Sequence, residues 1–458
     1  MDQPTNKRTA LLVAGVATFL APFIASAVIV ALPTLGRELG LDAVGQGWVV
    51  VSYTLAAAVF LLPLGRLADI VGHRRIFIVG LWLLGIASTL AGLAPNSAAL
   101  LAFRVLQGIA AAMVFGTSVA IVTATFEPSE RGRAMGFVVA SAYVGLSAGP
   151  VLGGLLTQAL GWRSVLLANV PIAVGTAILT QAKLKGEWAE ARGERFDLPG
   201  ALIYGVSLAV FVLALSQRPL TSGLPWAAAG MAGLVAFALW EARAAAPLLD
   251  VRLLAANHVF ALSNLAALAS YGATAGTSFL LSLYLQHLRG LQPRDAGMVL
   301  LAQPVVQAAL SPFAGRLSDT VEPRIVASCG MATCALGLAL FATLRADTPL
   351  AAIVAYLMLL GLGFALFSSP NTNAVMGSVD RRHYGVASGT LATMRLVGQT
   401  LSNGLVMLML SLYVGSAAVT PAQTAPFLLS ARMSFALFAA ICLAGTFASL
   451  VRGKMHAA

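Results

Sequence analysis

Residues 10–32 contain no charged side chain, and long apolar runs of this kind recur to the end of the chain. A helix needs about 20 apolar residues to cross about 30 Å of hydrocarbon. Windows of that size give fourteen candidate spans: 10–32, 45–65, 76–94, 98–126, 133–160, 164–182, 199–216, 224–241, 257–286, 296–315, 324–344, 349–375, 385–413 and 430–451. The seventh and eighth are the weakest, being short and flanked by Pro199 and Pro225. Of 458 residues 59% are hydrophobic and 10% charged, and mean hydropathy is +0.87. A soluble domain carries about 25% charged residues. This chain has too little polar surface to face water, so the bilayer is its solvent and the expected fold is an all-α polytopic membrane protein.

The N-terminal stretch also fits a cleaved signal peptide, with a basic start and "ASA" at 25–27. Its apolar run continues to Leu32, long enough to span, so it is read as the first membrane helix. The net charge of +11 does not indicate nucleic acid, because Lys and Arg sit between apolar runs rather than on one face. With the N-terminus inside, 19 Lys/Arg fall in inner loops and tails, seven in outer ones, and Arg104 and Arg395 within spans. That excess places both termini in the cytoplasm. The three cysteines (Cys329, Cys334, Cys442) lie in apolar stretches without metal or disulfide spacing and read as packing residues.

"GRLADIVGHRR" (65–75) after the second span is echoed by "GRLSDTVEPRI" (315–325) after the tenth, 250 positions on. "ERGRA" (130–134) matches "HYGVA" (383–387), and Gly108 and Gly361 each precede the glycine of those loops by 24 residues. Two six-span halves follow, with two spans inserted between them. The expected division is an N-terminal bundle (1–182), a cytoplasmic linker (183–198), an inserted pair with its loop (199–256), and a C-terminal bundle with a short cytoplasmic tail (257–458). Internal repeats of this kind mark secondary transporters, whose substrate site lies near mid-membrane between the halves.

These residues resemble the major facilitator superfamily, and within it the fourteen-span drug–proton antiporter branch (EmrB/QacA-like). "GRLADIVGHRR" resembles the family's loop motif, with Gly65, Leu67, Asp69, Gly72 and Arg74 in place. "RVLQG" (104–108) resembles its fourth-span motif, and "GLSAGPVLGG" (145–154) its antiporter motif. "GWRSVLLANVPIAV" (161–174), "LYLQHLRGLQPRDAG" (283–297) and "PNTNAVMGSVDRRHYGVASG" (370–389) are similar to signatures of the branch. One position departs: in "FIASAVIVALP" (23–33), Ile24 stands where the branch usually has an aspartate.

The resemblance implies a conformational latch made by Gly65, Asp69, Gly72 and Arg74 with Arg131 and Arg133. Asp69 would pair with Arg131 or Arg133, or cap the eleventh span, when the cytoplasmic side is closed. The alternative is a basic loop that only fixes orientation. Arg104, with Gln107 one turn on, is expected to face a cavity and take part in coupling, or to snorkel to the outer interface. Arg395, with Gln399 one turn on, is expected to face the cavity or a helix carbonyl. Gly145, Gly149 and Gly153 form a smooth stripe for close helix approach. Pro150 interrupts the helix bonding beside Gly154, which makes this stretch a candidate pivot against the other half. Asn264, Gln286, Gln303, Gln307, Asn371 and Gln399, with Tyr53, Tyr143 and Tyr271, are candidate cavity residues; each has interhelical packing as its alternative.

No enzyme is expected. "GLSAG" formally matches an esterase elbow, but Ser147 lies inside a span rather than on a strand-to-helix turn. There is no phosphate-binding G-x-x-x-x-G-K-[ST] loop for ATP-driven pumping. The expected function is export of amphipathic or drug-like small molecules across a bacterial inner (plasma) membrane by alternating access. No cofactor, metal, nucleic acid or obligate protein partner is expected beyond the bilayer. Proton exchange, implied by the resemblance, lacks its usual carrier here. Glu127 is one fallback, with His258 and His287 weaker ones. A facilitator or differently coupled carrier of a metabolite or vitamin is the alternative.

Overall fold

The structure is a computed structural model that describes residues 7–217, 220–380, 383–415 and 423–453. Arg381 and Arg382 of the last signature and the tail 454–458 lie outside the described residues. Among the described residues the regular secondary structure is entirely helical. The first seven helices are α1 (Lys7–Leu39), α2 (Ala43–Val71), α3 (His73–Gly92), α4 (Ser97–Thr125), α5 (Pro128–Leu160), α6 (Trp162–Leu167) and α7 (Asn169–Lys183). Next come α8 (Leu198–Ala214), α9 (Leu220–Glu241) and the short α10 (Val251–Ala256). The remainder are α11 (His258–Thr274), α12 (Gly276–Leu283), α13 (Pro293–Leu300), α14 (Ala302–Thr320), α15 (Pro323–Phe341), α16 (Leu350–Gly377), α17 (Tyr384–Tyr413) and α18 (Thr424–Val451). Several begin where a side chain takes an orphan backbone N–H. Asp42 accepts from Gly45 at 2.7 Å, Asn96 from Ala99 at 2.9 Å, and Asn257 from Phe260 at 2.9 Å.

Twelve described helical stretches are long and apolar enough to cross a membrane. That is two fewer than the fourteen runs read from the sequence. The seventh run became α8, which at 17 residues is short for a span. The ninth run is not one α-helix: it breaks at Ala275 between α11 and α12 and ends in a π-helical turn at Tyr284–Leu288. Glycines 272 and 276 weaken the helix there. Ser402 Oγ of α17 accepts the Gly276 N–H at 2.9 Å, which keeps the break satisfied inside the protein.

The helices pack in two groups. In the first, α1 lies along α5, α2 and α3 along α4, and α3 against α7; in the second, α15 and α14 lie along α16, and α11 and α15 against α18. The sequence echo is visible as repeated backbone contact. An added Cβ at Gly108 would collide with the Tyr53 carbonyl of α2, and one at Gly361 would lie 2.5 Å from the Gln303 carbonyl. Tyr53 and Gln303 are themselves 250 positions apart. Gly80 against Met113 and Gly330 against Gly363 and Phe367 repeat the pattern, at 2.7 and 2.6 Å. Helices α8 and α9 form a peripheral pair docked on α2 through Tyr204, whose hydroxyl donates to the Ala58 carbonyl at 3.0 Å.

The two faces differ. One, here the basic face, gathers Lys7, the α2–α3 and α4–α5 turns, the segment after α7, and the α16–α17 turn. On the opposite face the groups are joined. Gln286 donates to the Val30 carbonyl at 2.9 Å, Ser282 to that of Ile29 at 2.8 Å, and Gly297 abuts the Pro150 carbonyl. Toward the basic face residues 130–144 of α5 are mostly exposed, and Gly132, Gly136, Gly385 and Gly389 have no neighbour that a Cβ would meet.

Candidate substrate cavity

At mid-depth a side-chain hydrogen bond joins the groups: Tyr143 of α5 and Ser368 of α16 lie 3.3 Å apart, hydroxyl to hydroxyl. Tyr271 of α11 stands beside them, its ring edge-on to Phe364 with centroids 4.9 Å apart. Over Tyr271, 5.5 Å from its centroid, sits the Arg395 guanidinium, which donates to Thr372 Oγ1 at 2.6 Å. Arg395 Nε has no partner among the described residues. Four helices (α5, α11, α16 and α17) thus converge on a polar, aromatic floor, with the exposed first half of α5 leading from it to the basic face. Of the candidates read from sequence, Tyr143, Tyr271 and Arg395 are brought together here. Ser368, Thr372 and Phe364 were not singled out: nothing in "FSSPNT" separates a cavity hydroxyl from one that back-bonds its own helix.

Arg104 lies elsewhere. It is 1% exposed, donates from Nε to the Val49 carbonyl at 3.0 Å and from Nη1 to Gln107 Oε1 at 2.9 Å, and covers the Tyr53 ring at 4.5 Å. Gln107 passes the chain on to Ser88 at 2.8 Å, and Tyr53 OH donates to the Ala21 carbonyl at 3.3 Å. This closed network ties α2, α3 and α4 together, so Arg104 neither snorkels outward nor opens on the cavity. The other amides take helix carbonyls. Asn264 bonds Phe260 at 2.9 Å, Asn371 bonds Ser263 at 3.0 Å, and Asn403 bonds Gln399 at 3.0 Å. Gln307 is buried, Gln303 and Gln399 are half-buried, and Gln286 serves the opposite-face closure.

The 65–75 loop is held by the segment after α7, not by the α4–α5 turn. Arg74 Nε donates to the Leu184 carbonyl at 2.6 Å, and Glu187 accepts the Arg74 N–H at 2.9 Å and faces Arg75 Nε at 3.6 Å. The backbone closes the grip: His73 N–H to the Trp188 carbonyl at 2.9 Å, Ala191 N–H to that of Asp69 at 3.0 Å. Gly72 has φ +124°, and a Cβ there would strike the Glu187 carboxylate. Gly65 lies in open space. The Asp69 carboxylate reaches His73 at 3.1 Å and Arg66 at 4.0 Å. Arg131 donates to the Phe126 carbonyl at 2.9 Å and Arg133 is exposed, so the Asp69 pairing expected of a closed basic face is not made in this open arrangement. Nor does Asp69 cap α15, whose N-cap is Glu322. Glu127 is exposed at the mouth, 3.5 Å from Lys7; His258 is exposed and His287 lies in the π-turn.

The "GLSAGPVLGG" stretch faces two ways. Gly145, Gly149 and Gly153 lie against the α1 backbone within the first group, Gly153 coming 2.7 Å from Ala27 Cα by its would-be Cβ. Pro150 and Gly154 meet α13 of the second group, a Cβ at Gly154 lying 2.6 Å from the Pro293 carbonyl. Sequence reading also missed Arg452. It folds back from the end of α18, 2% exposed, to donate to Asn371 Oδ1 at 2.7 Å and Ser263 Oγ at 3.2 Å. Burial pushes its guanidinium down to about 10, still protonated at neutral pH.

Comparison with known proteins agrees with this architecture. The Major Facilitator Superfamily profile matches the chain twice, over residues 14–264 and 263–455. The cephamycin export protein CmcT of Amycolatopsis lactamdurans is 36% identical over 413 residues, covering 87% of this chain and 84% of that protein. The riboflavin transporter RibZ of Clostridioides difficile (strain 630) is 27% identical over 443 residues, 96% of each chain. Among solved structures, a bacterial homologue of the human lysosomal transporter Spinster, inward-facing and unoccupied, superposes with a TM-score of 0.69. At 16% identity, over 97% of this chain and 96% of that one, this likeness concerns the fold alone. The chain is a multi-pass membrane transporter that belongs to the major facilitator superfamily.

Proposed function

We propose that this protein exports amphipathic small molecules across the bacterial plasma membrane by alternating access, with the basic face and both termini in the cytoplasm. One observation carries the reading: the Tyr143–Ser368 contact joins both helix groups at mid-depth, with the joined opposite face on one side of it and the exposed first half of α5 on the other. Residues 1–182 and 257–458 are the rocking halves, with the Gly154 and Pro150 contacts on α13 as pivot. The loop at 65–75 is the latch, Asp69 exchanging His73 for Arg131 or Arg133 as the basic face closes. CmcT, named for cephamycin export, favours efflux as the direction.

Fourteen crossings, as in the drug-antiporter branch, fit the geometry. Asp197 at the start of α8 accepts from Trp240 near the end of α9 at 2.9 Å, so that pair runs out and back. Asn257 before α11 donates to the Ser378 carbonyl on the basic face, while Arg289 past the π-turn donates to Thr348 on the opposite one.

Proton exchange would need a group that titrates between the two access states. Every acidic residue in a described helix sits within two positions of that helix's end. That favours the second reading, a carrier not coupled to protons, and RibZ shows a relative named for a vitamin. Purified protein in sealed vesicles under an imposed pH gradient decides between them. Saturable substrate movement with counter-moving protons selects exchange; movement without protons selects the uncoupled carrier; no saturable movement refutes both.

A further inference from the structure

Three arginines lie seven or more residues from either end of a described helix: Arg432, which donates to the Leu344 carbonyl at 2.6 Å near the opposite face, Arg104 and Arg395. Arg104 spends its guanidinium on Val49, Gln107 and the face of Tyr53, and is sealed from the cavity. Arg395 sits eleven residues into α17, about 16 Å along its axis. It is part-buried and, among the described residues, makes a single hydrogen bond, to Thr372. No carboxylate lies within 4.0 Å of it among the described residues. The acidic residues are confined to helix ends, so none within the described helices can reach mid-depth to neutralise it. A cation at that depth is costly unless water or an anion meets it.

The cavity therefore discriminates by charge. A lipophilic cation would meet Arg395 with no acid to hold it. A neutral ligand would leave the guanidinium fork unpaired. A carboxylate or sulfonate satisfies the fork with charge-assisted, two-pronged hydrogen bonds. Tyr143 and Ser368 offer hydroxyls beside it, and Tyr271 and Phe364 offer ring faces and edges for a planar body. We infer that the cavity takes amphipathic organic anions, a planar apolar body carrying one carboxylate or sulfonate, with Arg395 as the partner of the charge. This rests on the reading of the cavity as the substrate site. It also gives a driving force without a proton carrier. A monovalent anion leaving a compartment 100 mV negative is favoured about fiftyfold.

The test uses the purified full-length protein and three probes sharing one ring system: naphthalene-2-sulfonate, (2-naphthylmethyl)trimethylammonium and 2-naphthyl β-glucoside. Binding is read by probe fluorescence, and uptake in proteoliposomes under a potassium diffusion potential. The sulfonate is expected to bind about tenfold tighter than the other two, with uptake sped by an inside-positive potential. Arg395→Gln is expected to erase that preference, sulfonate binding falling about tenfold, while Arg395→Lys keeps part of it. The wild-type preference decides the matter even where a variant unfolds. Equal or tighter binding of the ammonium, or an undiminished sulfonate preference in folded Arg395→Gln, overturns the inference. Saturable uptake of the ammonium or glucoside alone overturns the anion assignment and leaves the transport reading standing. No saturable uptake of any probe overturns both.

Discussion

Replacing Gly297 with alanine puts a methyl where α13 meets the Pro150 carbonyl of α5. The obstacle is backbone, so no flexible side chain can move aside. Gly153→Ala makes the same lesion inside the first group, 2.7 Å from Ala27 Cα. Overpacking of this kind costs about 1–3 kcal/mol. At Gly153 the penalty falls on every arrangement in which α1 and α5 stay packed, so it lowers stability. At Gly297 it falls only on the arrangement closed at the opposite face. The ratio of the two arrangements then shifts about 5- to 150-fold toward the one open there. A cysteine at Gly136, in open space on the basic side, reports the shift through labelling by an impermeant maleimide in oriented vesicles. The native Cys329, Cys334 and Cys442 are first replaced by alanine. Gly297→Ala is expected to slow labelling at 136, and Gly153→Ala to leave it unchanged while lowering the unfolding midpoint. Loss of stability in Gly297→Ala with unaltered labelling would refute the rocking of the halves about this contact.

Arg104→Gln is expected to lose about 1–3 kcal/mol by leaving Gln107 and its neighbours unpaired, with probe selectivity unchanged; a shift in selectivity would return Arg104 to the cavity. Glu187→Ala removes the acceptor of the Arg74 N–H, and is expected to speed limited proteolysis within 184–197 and to cost about 1 kcal/mol. Asp69→Asn is expected to lower transport turnover while leaving the unfolding midpoint in place; normal turnover would remove the latch.

The apolar runs and the glycine echo were legible because each is a local pattern with one physical meaning: length against the bilayer, and a helix surface smooth enough for backbone contact. Gly108 and Gly361 show this, since only a missing Cβ admits the carbonyl each one faces. The break at Ala275 was hidden within an unbroken apolar run, and the hydroxyl that satisfies it lies on α17, 126 positions from Gly276. The grip of Glu187 on Arg74 joins residues 113 apart, and the segment that carries it reads locally as a polar linker. Intraspan amides were ambiguous for a different reason. Asn264 and Asn403 bond carbonyls four residues back on their own helices, a choice that residue type and spacing do not fix. Arg452, one residue past α18, looked like tail charge and is instead enclosed between α11 and α16.

The most direct measurement is a pair of spin-label distances taken on the same protein. One pair, at Phe137 and Val386, straddles the basic face; the other, at Leu160 and Met298, straddles the opposite face, and all four side chains are exposed. Introducing Gly297→Ala should shorten the first distance and lengthen the second. Distances that stay fixed, or that change in the same direction, would contradict two halves rocking about a common cavity.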